Sequence, residues 1–424
     1  MDLKPIYLIM IDPNFGDLGH NKYYHMIPQG DTFLAEYGRV GAGKQTKVYP
    51  ISKWNSTLSS KKKKGYVERT ELMQDIINDT EVKTEEVDRF SSIKIESIRD
   101  IIKRLFDFAN KTIQSSYKVT ANEVTQNMVD KAQELLDEIT SNYKNYSLEE
   151  FNNKLVELFI IIPRKMKRVS DFTAKDMKTE TIEKILVNEQ SILDTMAGQV
   201  YKPKIIEKNT NTKNNNFSIL DEMGIEMEDC SEDDIKKIKE AMGDSADKFY
   251  KAWRVRNFET EKAYQKFTKE NNIGNVKLLC HGSRNQNIFN ILSIGLKIRP
   301  SCAMHTGSML GDALYYSNPE KKHGGVTKSI GYTSLSGSYW AGGNSDCGFL
   351  IFFDVALGKS YDIYNFDSKF YTYNLEKLQK DCPGAWSLHL HGVGYRNGGT
   401  VMNDEITVYN VNQVTVRYLV EIRR

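Results

Sequence analysis

Between residues 90 and 206 the apolar side chains recur at spacings of three and four, whereas on either side they alternate or run in short β-branched blocks. A spacing near 3.6 lays an apolar stripe along a helix, and a spacing of 2 lays an apolar face along a strand. The two patterns cannot share one layer of structure, so the chain divides into a β-rich piece, a helical piece and a mixed piece. Its 424 residues leave room for a separate core in each.

The helical piece reads as a bundle. Ile98, Ile101, Ile102, Leu105, Phe106 and Phe108 mark a first helix. Thr120 with Glu123 forms a capping-box pattern that opens a second, continuing through Met128, Ala132, Leu136 and Ile139. Ser147 and Glu150 cap a third, which carries Phe151, Leu155, Leu158 and Phe159 and closes before Pro163. A fourth spans about 177–196 with Ile182, Ile185, Leu186 and Leu193 inward. The polar run Asn209 to Asn216 reads as a linker.

Residues 5–51 look β-rich, with strands near Ile6–Met10, Lys22–Ile27 and Thr32–Val40 separated by Gly-bearing turns. Charge is uneven here. Residues 1–70 hold 11 Lys and Arg against 6 Asp and Glu, a balance of +5, while the rest of the chain carries −3. A modestly positive module suits a phosphate-bearing partner. Arg39 and the run Lys61–Lys64 could neutralise phosphates, and Tyr37 and Trp54 could pack on a sugar or base. Four lysines in a row also suit a solvated loop.

The chemistry-bearing residues lie in the last third. Val276 to Cys280 reads as a short strand running into His281-Gly282-Ser283. Ala313 to Ser317 is a strand with Tyr315 and Tyr316, followed by Lys328-Ser329-Ile330-Gly331-Tyr332. Asn403-Asp404-Glu405-Ile406-Thr407-Val408-Tyr409 reads as a strand carrying one acid in an otherwise apolar and β-branched run. A histidine, a tyrosine and a glutamate from three strands could meet in one cleft.

These residues resemble the catalytic domain of the poly(ADP-ribose) polymerases, which is built on a His-Tyr-Glu triad. Gly295-Leu296-Lys297-Ile298, Val355-Ala356-Leu357-Gly358-Lys359 and the last strand, Val411 to Ile422, follow the family's order. Tyr37-Gly38-Arg39-Val40-Gly41 resembles the signature of its DNA-binding WGR module, with Tyr37 in place of the signature tryptophan. Lys61 to Tyr66 resembles the Lys-rich Gly-Tyr segment that ends such modules. The helical order, with Ile160-Ile161-Ile162-Pro163, resembles the regulatory domain that precedes the transferase. Ala313 stands at a usual glycine, and Ser308 at a usual aromatic.

The resemblance implies a multidomain α+β chain. A small β-rich WGR-like DNA-binding domain would occupy 1–80, a helical regulatory domain 90–206, and a mixed α/β ADP-ribosyltransferase domain with antiparallel sheets 210–424. It implies that NAD is the ADP-ribose donor, with no metal. The reaction would break the nicotinamide–ribose bond through an oxocarbenium-like transition state. Glu405 would stabilise that charge near the 2′-hydroxyl and polarise the acceptor. His281 would bind a ribose hydroxyl of the adenosine half, Gly282 and Ser329 the nicotinamide amide, and Tyr332 the pyridine ring. Tyr315 would form the opposite wall, Ser283 and Asn287 would face the adenosine side, and Lys328 and Met309 the acceptor side. Tyr37, Gly38, Arg39, Lys61 and Lys62 would meet DNA.

A poly(ADP-ribose) polymerase activated by nicks or ends in DNA, modifying proteins and itself, is the leading expectation. The helical domain would be an autoinhibitory lid over the NAD cleft. A mono-ADP-ribosyltransferase and a catalytically inactive DNA-binding or interaction protein are the alternatives. Five cysteines without a C-x-x-C pair argue against a disulfide framework or zinc site. With no bilayer-length apolar run, the expected setting is intracellular: the nucleus in a eukaryote, otherwise the cytoplasm or nucleoid.

Overall fold

The structure is a computed structural model that describes residues 3–70, 90–116, 125–200, 218–298, 309–320, 325–336, 345–392 and 400–424. Thr120, Glu123, Ser308 and the 209–216 run lie outside the described residues. The chain forms two compact units, residues 1–87 with 110–200, and residues 88–109 with 201–424. No helix among the described residues is long and apolar enough to cross a membrane.

In the first unit, strands Ile6–Asp12 (β1), His20–Gln29 (β2), Thr32–Arg39 (β3), Gln45–Pro50 (β4) and Val67–Glu68 (β5) form a sheet of order β4-β3-β2-β1-β5. Each neighbouring pair is antiparallel. The period-2 pattern puts Phe33 and Ala35 on one face, where they pack with Leu8, Tyr24 and Met26. Helix Trp54–Lys63 covers that face. It carries Lys61 to Lys63, so the lysine run is helical rather than a loop. Trp54 is buried edge-on against Phe33, with ring centroids 5.2 Å apart, and cannot reach a base.

Helices Gln126–Asn142, Leu148–Ile161 and Thr179–Val200 belong to the same unit. The Ser147–Glu150 capping box is present as read, and Ile162 ends that helix before Pro163. Gln126–Asn142 is capped by Thr125, whose hydroxyl accepts from the Met128 N–H at 3.2 Å. The inward residues are those the periodicity selects: Ala132, Leu136, Phe151, Leu155, Ile182 and Leu193 are all buried.

The second unit holds two sheets. Ile225–Asp229 (β6), Phe249–Asn257 (β7), Val276–Ser283 (β8), Cys347–Ala356 (β10) and Val414–Arg423 (β14) pair antiparallel in the order β6-β7-β14-β10-β8. Leu314–Tyr316 (β9), Lys359–Ile363 (β11), Ala385–Leu390 (β12) and Glu405–Val408 (β13) give β11-β12-β13-β9, in which only the β11–β12 pair is parallel. An isolated bridge between Cys280 and Ser317 joins the sheets at the edge strands β8 and β9. The result is a mixed α+β unit built mainly from antiparallel pairs.

Helix Glu96–Ser116 is shared between the units by residue. Its stripe Ile98, Ile101, Ile102 and Leu105 lies in one cluster with Phe349, Ile351 and Leu419 of the five-stranded sheet β6-β7-β14-β10-β8. Arg104 donates to both oxygens of the fully buried Glu421, at 2.9 and 3.1 Å. The stretch expected at 90–206 is therefore divided, because this helix finds its apolar complement on β10 and β14.

Candidate active site

The site forms where β8 meets β9. His281 sits on β8, opposite Ile351 of β10, and its Nδ1 lies 2.9 Å from the Tyr315 carbonyl on β9. An Nδ1–H that donates to this carbonyl leaves Nε2 as the acceptor. Burial lowers the imidazole pKa, which keeps His281 neutral at neutral pH.

Gly282 has a packing reason that the sequence does not display. A Cβ there would stand 1.8 Å from the carbonyl oxygen of Ser329, in helix Thr327–Gly331. Only glycine lets that helix close on β8. Ser329 itself is buried. Its hydroxyl donates to the Cys280 carbonyl at 2.9 Å and lies 2.7 Å from the Ser317 hydroxyl, which also accepts the Ser329 N–H at 2.9 Å. Ser329 thus fastens the helix to the strand junction. Ser317, which the sequence reading passed over, is its partner, and only the register shows it.

Tyr315 stands opposite Thr407 of β13. Its phenol donates to the Gly311 carbonyl at 2.8 Å and accepts the Leu310 N–H at 2.9 Å. Burial raises its pKa well above the ordinary phenol value, so it remains a donor. Tyr409 donates to the Leu310 carbonyl at 2.8 Å, and the Asp312 N–H reaches the Tyr373 carbonyl at 2.8 Å. Gly311, at φ +81°, could not carry a side chain there, since a Cβ would meet the Tyr373 backbone at 2.1 Å. The turn bearing Met309 is thus held by three tyrosines, two of which, Tyr373 and Tyr409, sequence reasoning missed.

Glu405 opens β13 opposite Leu390 of β12. Strand alternation puts it on the same face as Thr407 and hence Tyr315. The carboxylate is buried and paired with the Lys328 ammonium. Its Oε2 has no hydrogen-bond partner among the described residues. Burial pulls the Lys328 ammonium below its ordinary value. Tyr332 caps the Thr327–Gly331 helix and is half-buried, which raises its pKa. Asn287 donates to the Ser283 hydroxyl at 3.4 Å. Tyr316 packs edge-on against Phe353 in the core.

The N-terminal residues expected at DNA are occupied within their own unit. Arg39 donates through Nε to the Met166 carbonyl (3.2 Å), through Nη1 to Gly19 (3.0 Å), and through Nη2 to Leu18 (3.0 Å) and Lys167 (2.7 Å). Four of its five N–H donors therefore meet main-chain carbonyls, so it acts as a clamp rather than a projecting cation. The Lys61 ammonium lies 3.8 Å from the Tyr24 ring centroid, 5.3 Å from Tyr66 and 5.9 Å from Tyr37, and burial lowers its pKa. Tyr37 also stacks on Tyr24 at 5.4 Å. Gly38, on β3, lies close to the 43–44 backbone. Lys62 pairs with Glu68 at 2.6 Å, and Lys63 and Lys64 remain exposed.

Comparison with known proteins adds an independent line. Residues 232–424 match the family described as the poly(ADP-ribose) polymerase catalytic domain. The uncharacterized protein 101L of Invertebrate iridescent virus 6 is 31% identical over 196 residues, covering 46% of this chain and 77% of that protein. Poly(ADP-ribose) polymerase 2 of Homo sapiens is 31% identical over 184 residues, covering 39% of this chain and 30% of that protein. Poly(ADP-ribose) polymerase of Drosophila melanogaster is 23% identical over 395 residues, covering 84% of this chain and 37% of that protein. The chain thus spans only about a third of the human and fly relatives. The match covers β7, β8, β9 and β13, the strands that carry and support the His281, Tyr315 and Glu405 cluster. Over residues 232–424 this chain belongs to the poly(ADP-ribose) polymerase catalytic-domain family.

Proposed function

We propose that this chain transfers ADP-ribose from NAD to protein acceptors, including itself, and extends the product into a polymer with release of nicotinamide. One observation carries the reading. Glu405 is a buried carboxylate with one oxygen beside Lys328 and the other, Oε2, without a hydrogen-bond partner among the described residues. A buried polar atom left in this state has a strong preference for a hydroxyl donor. A ribose 2′-hydroxyl or an acceptor hydroxyl supplies one.

NAD brings a leaving group that is already cationic, so no strong general acid is needed. Glu405 stabilises positive charge that develops on the ribose and draws the acceptor proton. Lys328 orients the carboxylate through their ion pair. Neutral His281 offers Nε2 to a ribose hydroxyl, its ring fixed by the Tyr315 carbonyl. Tyr315 and Tyr332 form the walls, and the Gly282 backbone meets the nicotinamide amide. Ser329 contributes to the amide site by way of its position, since its hydroxyl already bonds Cys280. Ser283 and Asn287 face the adenosine side, and Met309 the acceptor.

DNA nicks or ends would activate the enzyme through the WGR-like module at 1–80, and the helical segment would be the restraint that DNA loosens. The 84% coverage of the chain by the fly relative supports this extension beyond the transferase. Exposed Lys63 and Lys64 are better placed for phosphates than Arg39 or Lys61.

The test is nicotinamide release from NAD by the full chain, with and without nicked duplex DNA, alongside gel mobility of the automodified protein. A DNA-stimulated ladder is expected. A single mobility step would identify a mono-ADP-ribosyltransferase, and equal rates with and without DNA would remove the activation step. No release under either condition would overturn the enzyme reading.

A further inference from the structure

Three groups outside the site converge on the β11–β12 edge. Asp362 on β11 and His389 on β12 are register partners in the parallel pair, and His391 follows two residues after His389. Strand alternation puts both imidazoles on one face with Asp362, and Leu388 and Leu390 on the other. The packing agrees, because Leu388, Leu390 and Ile363 all enter the cluster on that opposite face. One ligand atom from each of Asp362, His389 and His391 lies within 4.8 Å of the others.

We propose that Asp362, His389 and His391 bind a borderline divalent cation of the zinc type. Two imidazoles and a carboxylate are the donor set such ions prefer, with the fourth position left to water. Tetrahedral bonds of about 2.0–2.1 Å separate ligand atoms by roughly 3.3 Å. Asp362 Oδ1 is 3.6 Å from His389 Nδ1 and 2.7 Å from His391 Nε2, so these two distances bracket that spacing. The adjustment falls on Asp362 and on the His391 ring, and Asp362, being exposed, also leaves an entry path.

The support around the ligands is that of a metal site. Asp404 is buried, and its Oδ2 lies 2.8 Å from His389 Nε2. An Nε2–H donating to this carboxylate turns the Nδ1 lone pair toward Asp362, the usual outer partner of a ligating histidine. The other Asp404 oxygen accepts the Gly392 N–H at 2.8 Å, and the Asn318 amide donates to Oδ2 at 3.0 Å, so the carboxylate cannot rotate away. His391 is stacked between His389, at 3.7 Å, and Tyr364, at 4.6 Å, so its ring turns out of the stack when both imidazoles take the ion. The ion would tie β11 to β12 and, through Asp404, steady the start of β13. The cysteine spacing that argued against a zinc site could not reveal this one, because its ligands come from two strands and include no cysteine.

The experiment is titration of the EDTA-stripped full chain with zinc chloride, followed by calorimetry and thermal unfolding. Saturable binding of about one equivalent with a raised unfolding temperature is expected. His389→Gln with His391→Gln should abolish that binding while leaving the metal-free unfolding temperature close to that of the parent. Asp404→Asn should weaken it about 10–100-fold. Asp362→Asn, at an exposed position, gives the same loss of affinity without a risk to folding. No saturable binding by the parent overturns the proposal and leaves a hydrogen-bonded His–Asp cluster only. Undiminished binding in Asp362→Asn and in the double variant also overturns it, and places the ion elsewhere on the chain.

Discussion

Asp404 and Glu405 are adjacent in sequence and serve opposite faces of one sheet. Glu405 pairs with Lys328 on the Tyr315 face, whereas Asp404 accepts from His389 and Gly392 on the other. A strand turns successive side chains through a half-circle, so two neighbouring carboxylates have separate tasks.

Glu405→Gln should lower nicotinamide release by about 10²–10³-fold, the usual loss when one preorganised electrostatic group is removed. NAD affinity should change little, because the carboxylate acts on charge that develops in the transition state. Calorimetric NAD binding beside a release assay checks both. Unchanged release would reject Glu405 as the catalytic carboxylate.

Gly282→Ala should destabilise the second unit by about 1–3 kcal/mol, the range for overpacking. The new methyl would stand 1.8 Å from a main-chain oxygen rather than a movable side-chain end. Thermal unfolding and NAD binding should both suffer. A variant as stable as the parent would show that the Thr327–Gly331 helix does not close on β8 as described.

Arg39→Ala should destabilise the first unit by about 1–3 kcal/mol, because several carbonyls lose a charged donor. Arg39→Lys should rescue little, since one ammonium cannot reach four acceptors in a planar fork. The readout is the unfolding midpoint without DNA. A midpoint unchanged in both variants, with only DNA affinity reduced, would return Arg39 to a phosphate-contact role.

Arg104→Met should cost about 3 kcal/mol, because it leaves the buried Glu421 carboxylate with Arg423 alone. Arg104→Met with Glu421→Gln should recover part of that loss. Denaturant unfolding of the single and double variants measures the coupling, and strictly additive losses would argue that the pair is not formed.

Asp234 supplies a pH test. Burial opposes its ionisation, but hydrogen bonds from Arg254, Ser231 and Tyr418 prevail and hold its pKa below the usual carboxylate range. A carboxyl depressed in the folded state stabilises it fully above the unfolded value, about 3.9, and loses that contribution as pH falls toward the folded value. Asp234→Asn should therefore lower the unfolding midpoint at pH 7, and the gap should narrow from about pH 5 toward pH 3. A gap that does not depend on pH would assign the loss to packing.

Much of the fold could be read before any coordinates. The 3.6 period selected the inward residues of helices Gln126–Asn142, Leu148–Ile161 and Thr179–Val200, and the Ser147–Glu150 capping box marked one start to the residue. On β7, Trp253 and Val255 are buried and alternate with the exposed Arg254 and Arg256, a period-2 pattern visible in the sequence. The Tyr315 strand and the Glu405 strand were legible because local chemistry writes them in short runs, whereas the strand read as ending at Cys280 runs on through His281-Gly282-Ser283, paired with β10. What could not be read was which partner each group would meet. Arg39 and Lys61 look like phosphate ligands in a charge count, yet backbone carbonyls and tyrosine rings take them up.

The sequence alone determined the order of β-rich, helical and mixed pieces and the family over residues 232–424, and it picked out His281, Tyr315 and Glu405 as one cluster. Those follow from periodicity and motif, which are properties of neighbours along the chain. The tertiary structure decided that Ile98–Leu105 packs on β10 and β14, that Gly282 is required by Ser329, and that Asp404 faces His389 while Glu405 faces Lys328. These are outcomes of strand register and sheet order. Register joins residues tens to hundreds of positions apart, and a one-residue slip would exchange the faces, so no local pattern carries that information.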